Sequence, residues 1–512
     1  MNKLTNRLSK FGRQNLLFCL FFVLVVSLLH HRSWNQPPIG NHVWAQSDHY
    51  ALALGFLDNN FDFFHPKTYT LSHQFPPKKL IDNPQGITAV DFPILHYTVA
   101  GIMQLLGSDA PWIFRTVNLL LSLLAMFCLF SVVNRHVGIW QGFFLVSIII
   151  FQPYYIYYQN GFHVSSAALN VLIIGYSHLL SYFKTSSKRS LYFGLFFLML
   201  AALMRFTHLI SLIALLGGFA LLFLKERKYF KESIITLGFM LPVLAYFIYN
   251  QYLATHYGSV FLNHPILPEN LEQLLLHAQN GIILYAKGFL PPLHLLALGA
   301  LLFTAWKHRS QLKHVNILQY IFITLLLLGS LLYSALMSYH ISTHDYYSLD
   351  VWLPTLLWLL LTLLCALKIS KNTLQSYRLP LLGLMTSMLL FAVFYQERRY
   401  GTLFKPTAAD YVVDDYLQSR DFLNTHISAN DKVLVIGGDG WNTPLVAWRR
   451  PAFRLANNYK QQLPLQLSIP YDYIVMRDSI VDEVVLKNYP QFQEELKLEA
   501  SNGKVSIWKH KP

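Results

Sequence analysis

Charge is scarce in this chain. Lysine, arginine, aspartate and glutamate make up only 13% of 512 residues, against 54% hydrophobic ones, a balance that excludes a string of water-soluble domains. Cysteine is rarer still. Cys19, Cys128 and Cys365 each sit inside a long apolar run, which excludes a disulfide framework and a cysteine-based metal site. No acidic residue lies midway along an apolar run, so the usual mark of an ion-coupled carrier is missing. There is no 20–50-residue repeat and no low-complexity tract. Gly437-Gly438-Asp439-Gly440 lacks the full glycine fingerprint and a following Lys-Ser/Thr, so it reads as a turn rather than a nucleotide loop.

What remains is a membrane protein. A hydrocarbon core of about 30 Å calls for about 20 apolar residues per helix, and eleven stretches qualify: 15–30, 112–133, 139–158, 164–183, 190–204, 208–224, 234–251, 289–306, 315–336, 350–367 and 379–395. The fifth and sixth are short and nearly continuous. The first lacks a small-residue cleavage site, since His30, His31, Arg32 and Trp34 follow it, and is read as a retained anchor.

The formal charge of +14 would suggest nucleic acid in a soluble chain, but its placement points elsewhere. Lys3, Arg7, Lys10, Arg13, then Arg135, then Lys184, Lys188, Arg189, then Lys225, Arg227, Lys228, Lys231, then Lys307, Arg309, Lys313, then Lys368, Lys371 and Arg378 fall in alternate loops, opposed by only two acids, Glu226 and Glu232. The opposite loops and helix ends hold only Arg32, Lys67, Lys78, Lys79, Arg115, Arg205 and Lys287. The positive-inside rule then makes the N-terminus cytoplasmic and, after an odd number of spans, places residues 400–512 outside an inner (plasma) membrane. No nucleic-acid partner is expected.

Two outer segments, 31–111 and 252–288, are too long to be mere connections. In the first, 45–57 and 92–106 show helical apolar spacing with polar interruptions, as expected of helices on the membrane surface. The tail mixes a helix-like run at 411–425 with strand-like runs at 432–437, 473–476 and 505–508. The expected architecture is an α-helical polytopic membrane protein of about eleven transmembrane helices, residues 1–399, with a small extracytoplasmic α/β domain, residues 400–512.

Polar chemistry concentrates at the outer face. Asp48, beside Trp44, Gln46, His49 and Tyr50, suits a general base or a cation ligand, and equally a helix cap or solvated face. Asp58, Asp62, Asp82, Asp91, Asp109 and Asp345 add further outer carboxylates. His340, His344, Asp345, Tyr346 and Tyr347 form a second cluster before the tenth helix, suited to holding a phosphate or sugar, with an interfacial aromatic belt as the alternative. Arg205, alone between two short runs, reads as an anion contact or as a residue snorkelling to the interface.

At these residues the sequence resembles bacterial integral-membrane glycosyltransferases of the C-type superfamily, related to protein O-mannosyltransferases and the lipid A aminoarabinose transferase. The first-loop pattern is carried by His42, Trp44, Gln46, Asp48, Ala53, Phe56, Asn59 or Asn60, Phe63 or Phe64 and Pro66, with Ala45 where relatives have arginine. Phe92-Pro93 with Tyr97, then Arg115, and His344-Asp345-Tyr346-Tyr347-Ser348-Leu349 with Pro354 continue it. Arg205-Phe206-Thr207 stands where relatives often have Lys-Pro-Thr.

The resemblance implies transfer of a sugar from a polyprenyl-phosphate-linked donor to a hydroxyl of a glycolipid, polysaccharide or protein, at the outer face of the bilayer and with inversion. Asp48 would be the base; Arg205, His344, Tyr346 and Arg115 would contact the donor phosphate or sugar, supported by Trp44, Gln46, His49 and Asp345. One departure concerns metal. Relatives commonly carry an aspartate after the third helix, but residues 159–166 contain no carboxylate. A divalent cation is therefore left open, with His163 as the substitute ligand. A non-catalytic envelope-binding protein and a lipid or polysaccharide transporter are the alternative classes.

Overall fold

The computed structural model describes residues 2–78, 84–262, 265–312, 315–367, 378–400, 406–455, 471–481 and 494–511. Of the residues weighed above, Lys79, Asp82, Lys313, Lys368 and Lys371 lie outside them. The helices run α1 (Asn2–His30), α2 (Val43–Asp58), α3 (Ile94–Leu106), α4 (Pro111–His136), α5 (Ile139–Ile150), α6 (Pro153–Gln159), α7 (Val164–Thr185) and α8 (Lys188–Met204). They continue with α9 (Leu209–Glu226), α10 (Phe230–Tyr257), α11 (Leu271–Gly288), α12 (Pro292–Lys307), α13 (Arg309–Leu312), α14 (Ile317–Leu336), α15 (Ser338–Thr343) and α16 (Leu353–Ala366), then a further long helix, Arg378–Tyr400.

All eleven apolar runs are helical. Among the described residues eight helices are long and apolar enough to cross a membrane, or up to ten if each of two bent pairs is one span; the chain is a multi-pass membrane protein. The remaining run is α8. Its 17 residues reach about 26 Å at 1.5 Å per residue, somewhat short of a full hydrocarbon core.

Burial separates central helices from lipid-facing ones. In α7, 89% of the apolar window is buried, against 11% in α10. Leu237, Leu241, Leu244 and Ile248, at helical spacing on α10, are all exposed, as an outer face in contact with lipid requires.

The bends arise where the chain loses a donor. Pro153 opens α6 and Pro292 opens α12, so neither helix continues smoothly from its predecessor, and the axes turn by 76° and 94°. One side chain holds both corners. The Gln152 carboxamide accepts from the Tyr155 backbone N–H and donates to the carbonyls of Gly288 and Phe289, each at 3.0 Å. A Cβ on Gly288 would lie 2.2 Å from the Tyr154 ring, so the second corner also requires glycine.

Both expected outer-loop helices exist, but α2 is no half-exposed surface helix. Thirteen of its 16 residues are buried, because α3 covers one side and the tail another. Small residues allow the close approach: a Cβ at Gly55 would lie 2.0 Å from the Lys67 carbonyl oxygen.

The tail is a small α/β unit, as expected, with more strands than the sequence suggested. Helices Ala408–Gln418 and Arg420–His426 precede β1 (Val433–Ile436), and β2 (Phe453–Leu455), β3 (Tyr473–Arg477), β4 (Leu496–Ser501) and β5 (Val505–His510) follow. The sheet order is β2-β1-β3-β5-β4. β1 is parallel to β2 and β3, and β5 is antiparallel to β3 and β4. The short helix Thr443–Trp448 makes the β1–β2 crossover. The first outer loop docks on this unit by backbone bonds, Leu71 N–H to the Ala452 carbonyl at 2.9 Å and Ala452 N–H to the Tyr69 carbonyl at 3.0 Å.

Replacing Gln152 with leucine would leave buried backbone groups at both corners without partners, at a cost of about 1–3 kcal/mol. Gln152→Leu is expected to lower the thermal unfolding midpoint in detergent; an unchanged midpoint would show that the corners hold without it.

Candidate active site

The outer ends of the helices, the first outer loop and the tail enclose a cavity of about 880 Å³. α2 supplies Trp44, Asp48 and His49; the first loop supplies Asp91; the end of α8 supplies Arg205; and the segment after α15 supplies His344, Tyr346 and Tyr347. The tail closes it with Thr407, Asp439 and Arg477. Trp44 and Asp48 share one face of α2 because they stand four residues apart.

Asp48 is 2% exposed. Withdrawal from water pushes its carboxyl up to about 7, against the pull of a hydrogen bond from Asn442. The Asn442 Nδ2 donates to Asp48 Oδ1 at 2.8 Å, while its Oδ1 accepts from the backbone N–H groups of Tyr69 and Thr70 at 3.0 and 2.9 Å. Backbone N–H groups can only donate, so they dictate that the amide turns its oxygen to the loop and its NH₂ to the aspartate.

Arg205 caps α8 in an extended conformation, and its Nε donates to Asp350 at 2.9 Å. Asp91 lies 3.6 Å away on the other side. The rings of Tyr346 and Tyr347 stand 5.8 and 5.3 Å from the guanidinium carbon. Burial pushes Asp91 up to about 6 even beside that cation. Asp350, fully buried, also accepts from the Ser165 hydroxyl at 2.9 Å. The arginine is thus held in place, aimed at the cavity, and its charge is matched by fixed carboxylates.

Imidazoles form the rim. His42 stacks on His344 at 5.2 Å and His344 on His340 at 5.5 Å, with Trp44 edge-on to His42 and His344. Burial, with His42 and His340 adding to it, brings His344 down to about 3. It therefore faces a ligand as a neutral hydrogen-bonding group, and Tyr346, raised by its burial, likewise stays a neutral phenol. The positive charge in this half of the site comes from Arg205.

Six residues singled out from the sequence, Trp44, Asp48, His49, Arg205, His344 and Tyr346, line one cavity. Three do not. Arg115 is fully buried elsewhere, where its guanidinium donates to the carbonyls of Gln36, Pro37 and Asn160. It is a strut between the first loop and the α6–α7 turn, not a donor contact. Gln46 points away from the cavity, to the carbonyls of Ile39 and Asn41 and the Tyr157 hydroxyl. Asp345 accepts from Asn41 and the Tyr158 hydroxyl and so fixes the start of α2.

His163 does reach the cavity, but its Nδ1 caps α7 by accepting from the Ser165 N–H. Its ring lies 4.1 Å from that of Tyr346, and nearby His49 and His96 bond each other at 3.0 Å. Among the described residues no group of three or more His, Cys, Asp or Glu is arranged to hold a metal ion.

The bundle of membrane helices with its polar cavity at the rim, roofed by long loops and a small terminal domain, has a fold similar to that of C-type membrane glycosyltransferases. Residues 87–252 match the model of the family described as dolichyl-phosphate-mannose-protein mannosyltransferase. Over the whole chain the fold is similar to that of ArnT from Cupriavidus metallidurans. The apo crystal structure is 9% identical, with a TM-score of 0.58 and coverage of 96% of this chain and 97% of that one. The ArnT structure bound to undecaprenyl phosphate gives 10%, 0.58 and the same coverage. The Archaeoglobus fulgidus oligosaccharyltransferase tethered with an acceptor peptide is similar at 11% identity and TM-score 0.54, over 97% of this chain and 74% of that one. No curated protein matches the sequence.

Asn442 and the carboxylate bracket Asp91 and Asp350 around Arg205 are site-building features that motif reading did not assign. Asn442 lies 394 residues from Asp48, and nothing local marks it.

Arg115→Leu is expected to reduce the yield of monodisperse protein in detergent, because several buried carbonyls lose their donor. A stable, fully folded Arg115→Leu protein would contradict the strut assignment.

Proposed function

We propose that the protein is a glycosyltransferase that moves a sugar from a polyprenyl-phosphate-linked donor to a hydroxyl acceptor at the extracytoplasmic membrane face. The observation that carries this reading is one cavity walled both by a carboxylate with a raised pKa, Asp48, and by a pre-held arginine, Arg205. The similar structures support the donor class: one ArnT structure is bound to undecaprenyl phosphate, and an archaeal oligosaccharyltransferase structure is in complex with an inhibitory peptide and a dolichol-phosphate.

The acceptor oxygen attacks the anomeric carbon and its proton passes to the Asp48 carboxylate. As the new C–O bond forms, the bond from that carbon to the phosphate oxygen breaks, and the electron pair leaves with the polyprenyl phosphate. Arg205 meets the growing charge on the phosphate, with His344 and Tyr346 as neutral donors. An arriving phosphate competes with Asp91, the more distant of the two carboxylates paired with Arg205. One displacement inverts the anomeric centre.

The basic loops at the other ends of the helices support an N-terminus in the cytoplasm. In this reading the cavity and residues 400–512 face the extracytoplasmic side of the plasma membrane, with residues 400–512 as a second domain over residues 1–399. A flipped lipid-linked donor then reaches the site from within the bilayer.

The test is transfer of radiolabelled sugar from a panel of polyprenyl-phosphate sugars by purified protein in lipid, with extracted envelope lipids, polysaccharide and peptides as acceptors. Asp48→Asn is expected to reduce transfer about 10²–10⁴-fold; near-normal transfer by the folded variant rejects the base assignment. The carboxyl must be ionised to accept a proton, and its pKa is about 7. The wild-type kcat/KM should therefore fall as pH drops through about 7, and this limb should be absent from the residual activity of Asp48→Asn.

A further inference from the structure

We infer that Asn442, on the turn after β1 of the tail, is the positioning residue that orients the Asp48 carboxylate, which makes the tail part of the catalytic centre. The inference rests on the reading of Asp48 as the general base.

Three observations converge on this arrangement. First, the Asn442 amide is locked. Two backbone N–H groups from the first outer loop hold its oxygen, so its NH₂ can face only one way, toward Asp48 Oδ1 at 2.8 Å. Second, the turn is pressed onto α2. Gly440 has φ +79°, and a Cβ there would lie 2.4 Å from the Cβ of Trp44, one helical turn before Asp48. Third, Asn442 is fully buried and is not among the residues that line the cavity. It acts on the carboxylate from behind, without touching a ligand. The turn stands at the carboxyl end of a parallel strand, the edge at which α/β sheets present their ligand-facing loops.

The other charged or titratable groups around Asp48 come from every wall. His49 lies on its own helix, His96 on α3, Asp91 on the first loop, and His163 before α7. Arg205, Tyr339, His340, His344, Tyr346, Tyr347, Asp439 and Arg477 complete the titratable lining of the cavity. Beside a backbone hydrogen bond from the same residue, the Asp48 carboxylate receives the side-chain hydrogen bond of Asn442. This bond favours the ionised form, so its loss must raise the pH at which Asp48 takes up a proton.

Two variants separate orientation from mere folding. Asn442→Ala removes the donor to Asp48 and the acceptor for the loop. Asn442→Asp keeps an oxygen for the Tyr69 and Thr70 N–H groups but sets a second carboxyl against Asp48, so the two share a proton. Titration of the Asp48 carboxyl is read by infrared difference spectroscopy of full-length protein in lipid, using Asp48→Asn to identify its band. The acid limb of kcat/KM is read in parallel.

The expected result is an upward shift of both midpoints by about one pH unit in Asn442→Ala and by more in Asn442→Asp, with the alkaline plateau less affected. Unmoved midpoints, with transfer reduced uniformly at every pH, would overturn the inference and leave Asn442 a structural tether. The infrared shift does not require turnover. A shifted band in a protein that transfers no sugar would therefore reject the glycosyltransferase reading and keep the Asn442–Asp48 coupling.

Discussion

A charge withdrawn from water must be held by its surroundings, and the outer end of this protein is organised around two such charges. Asp48 and Arg205 both open into one cavity, and both are gripped from outside it: the carboxylate by Asn442, the guanidinium by Asp350 and Asp91. Neither grip comes from the element that carries the charged residue. The tail must dock before Asp48 is satisfied, and the span carrying Asp350 must pack against the end of α8 before Arg205 is neutralised. The same rule shapes the uncharged parts. Where prolines break α5–α6 and α11–α12, one carboxamide satisfies both corners, because unpaired backbone groups out of water carry a cost comparable to a lost hydrogen bond.

This division of labour explains why so many polar residues at the rim do not face the cavity. Arg115, Gln46 and Asp345 satisfy backbone carbonyls and hydroxyls that fix the approach to α2. They make a rigid seat for the helix that carries Asp48. His340 and His344 belong to the cavity itself, in a stacked column with His42. Of these rings His344, brought down by burial, offers shape and hydrogen bonds rather than charge.

The tail is joined to this scheme by more than one bond. Its β2 strand continues into a backbone ladder with the first outer loop, Asp410 accepts from the Gly40 N–H at 2.6 Å, and Arg449 pairs with Asp109 at 2.8 Å. Segments that are far apart in sequence therefore share one packed seam. A cavity built across such a seam excludes water from several directions, which strengthens every electrostatic contact inside it.

Much of the fold was legible from hydropathy alone. The eleven apolar runs, the two outer-loop helices and three of the five tail strands all fall close to where the spacing of apolar residues puts them, since lipid and a packed sheet impose lengths and periods that residues must obey. The breaks at Phe151-Gln152 and Phe289–Pro291 and the shortness of α8 were not legible, because they depend on how helices meet. β2 and β4 were missed: one has three residues, the other is largely exposed and carries charges. For the site, the motif residues Asp48, Arg205, His344 and Tyr346 were legible as chemistry at one membrane face. The sequence by itself determined a membrane-embedded helical bundle with its polar clusters toward one end of the helices. Only the tertiary structure decided which of them meet in the cavity, that Arg115 serves as a strut, that α2 is buried, and that Asn442 holds Asp48. Those outcomes depend on contacts across hundreds of residues, and local patterns of charge and hydrophobicity carry no record of them.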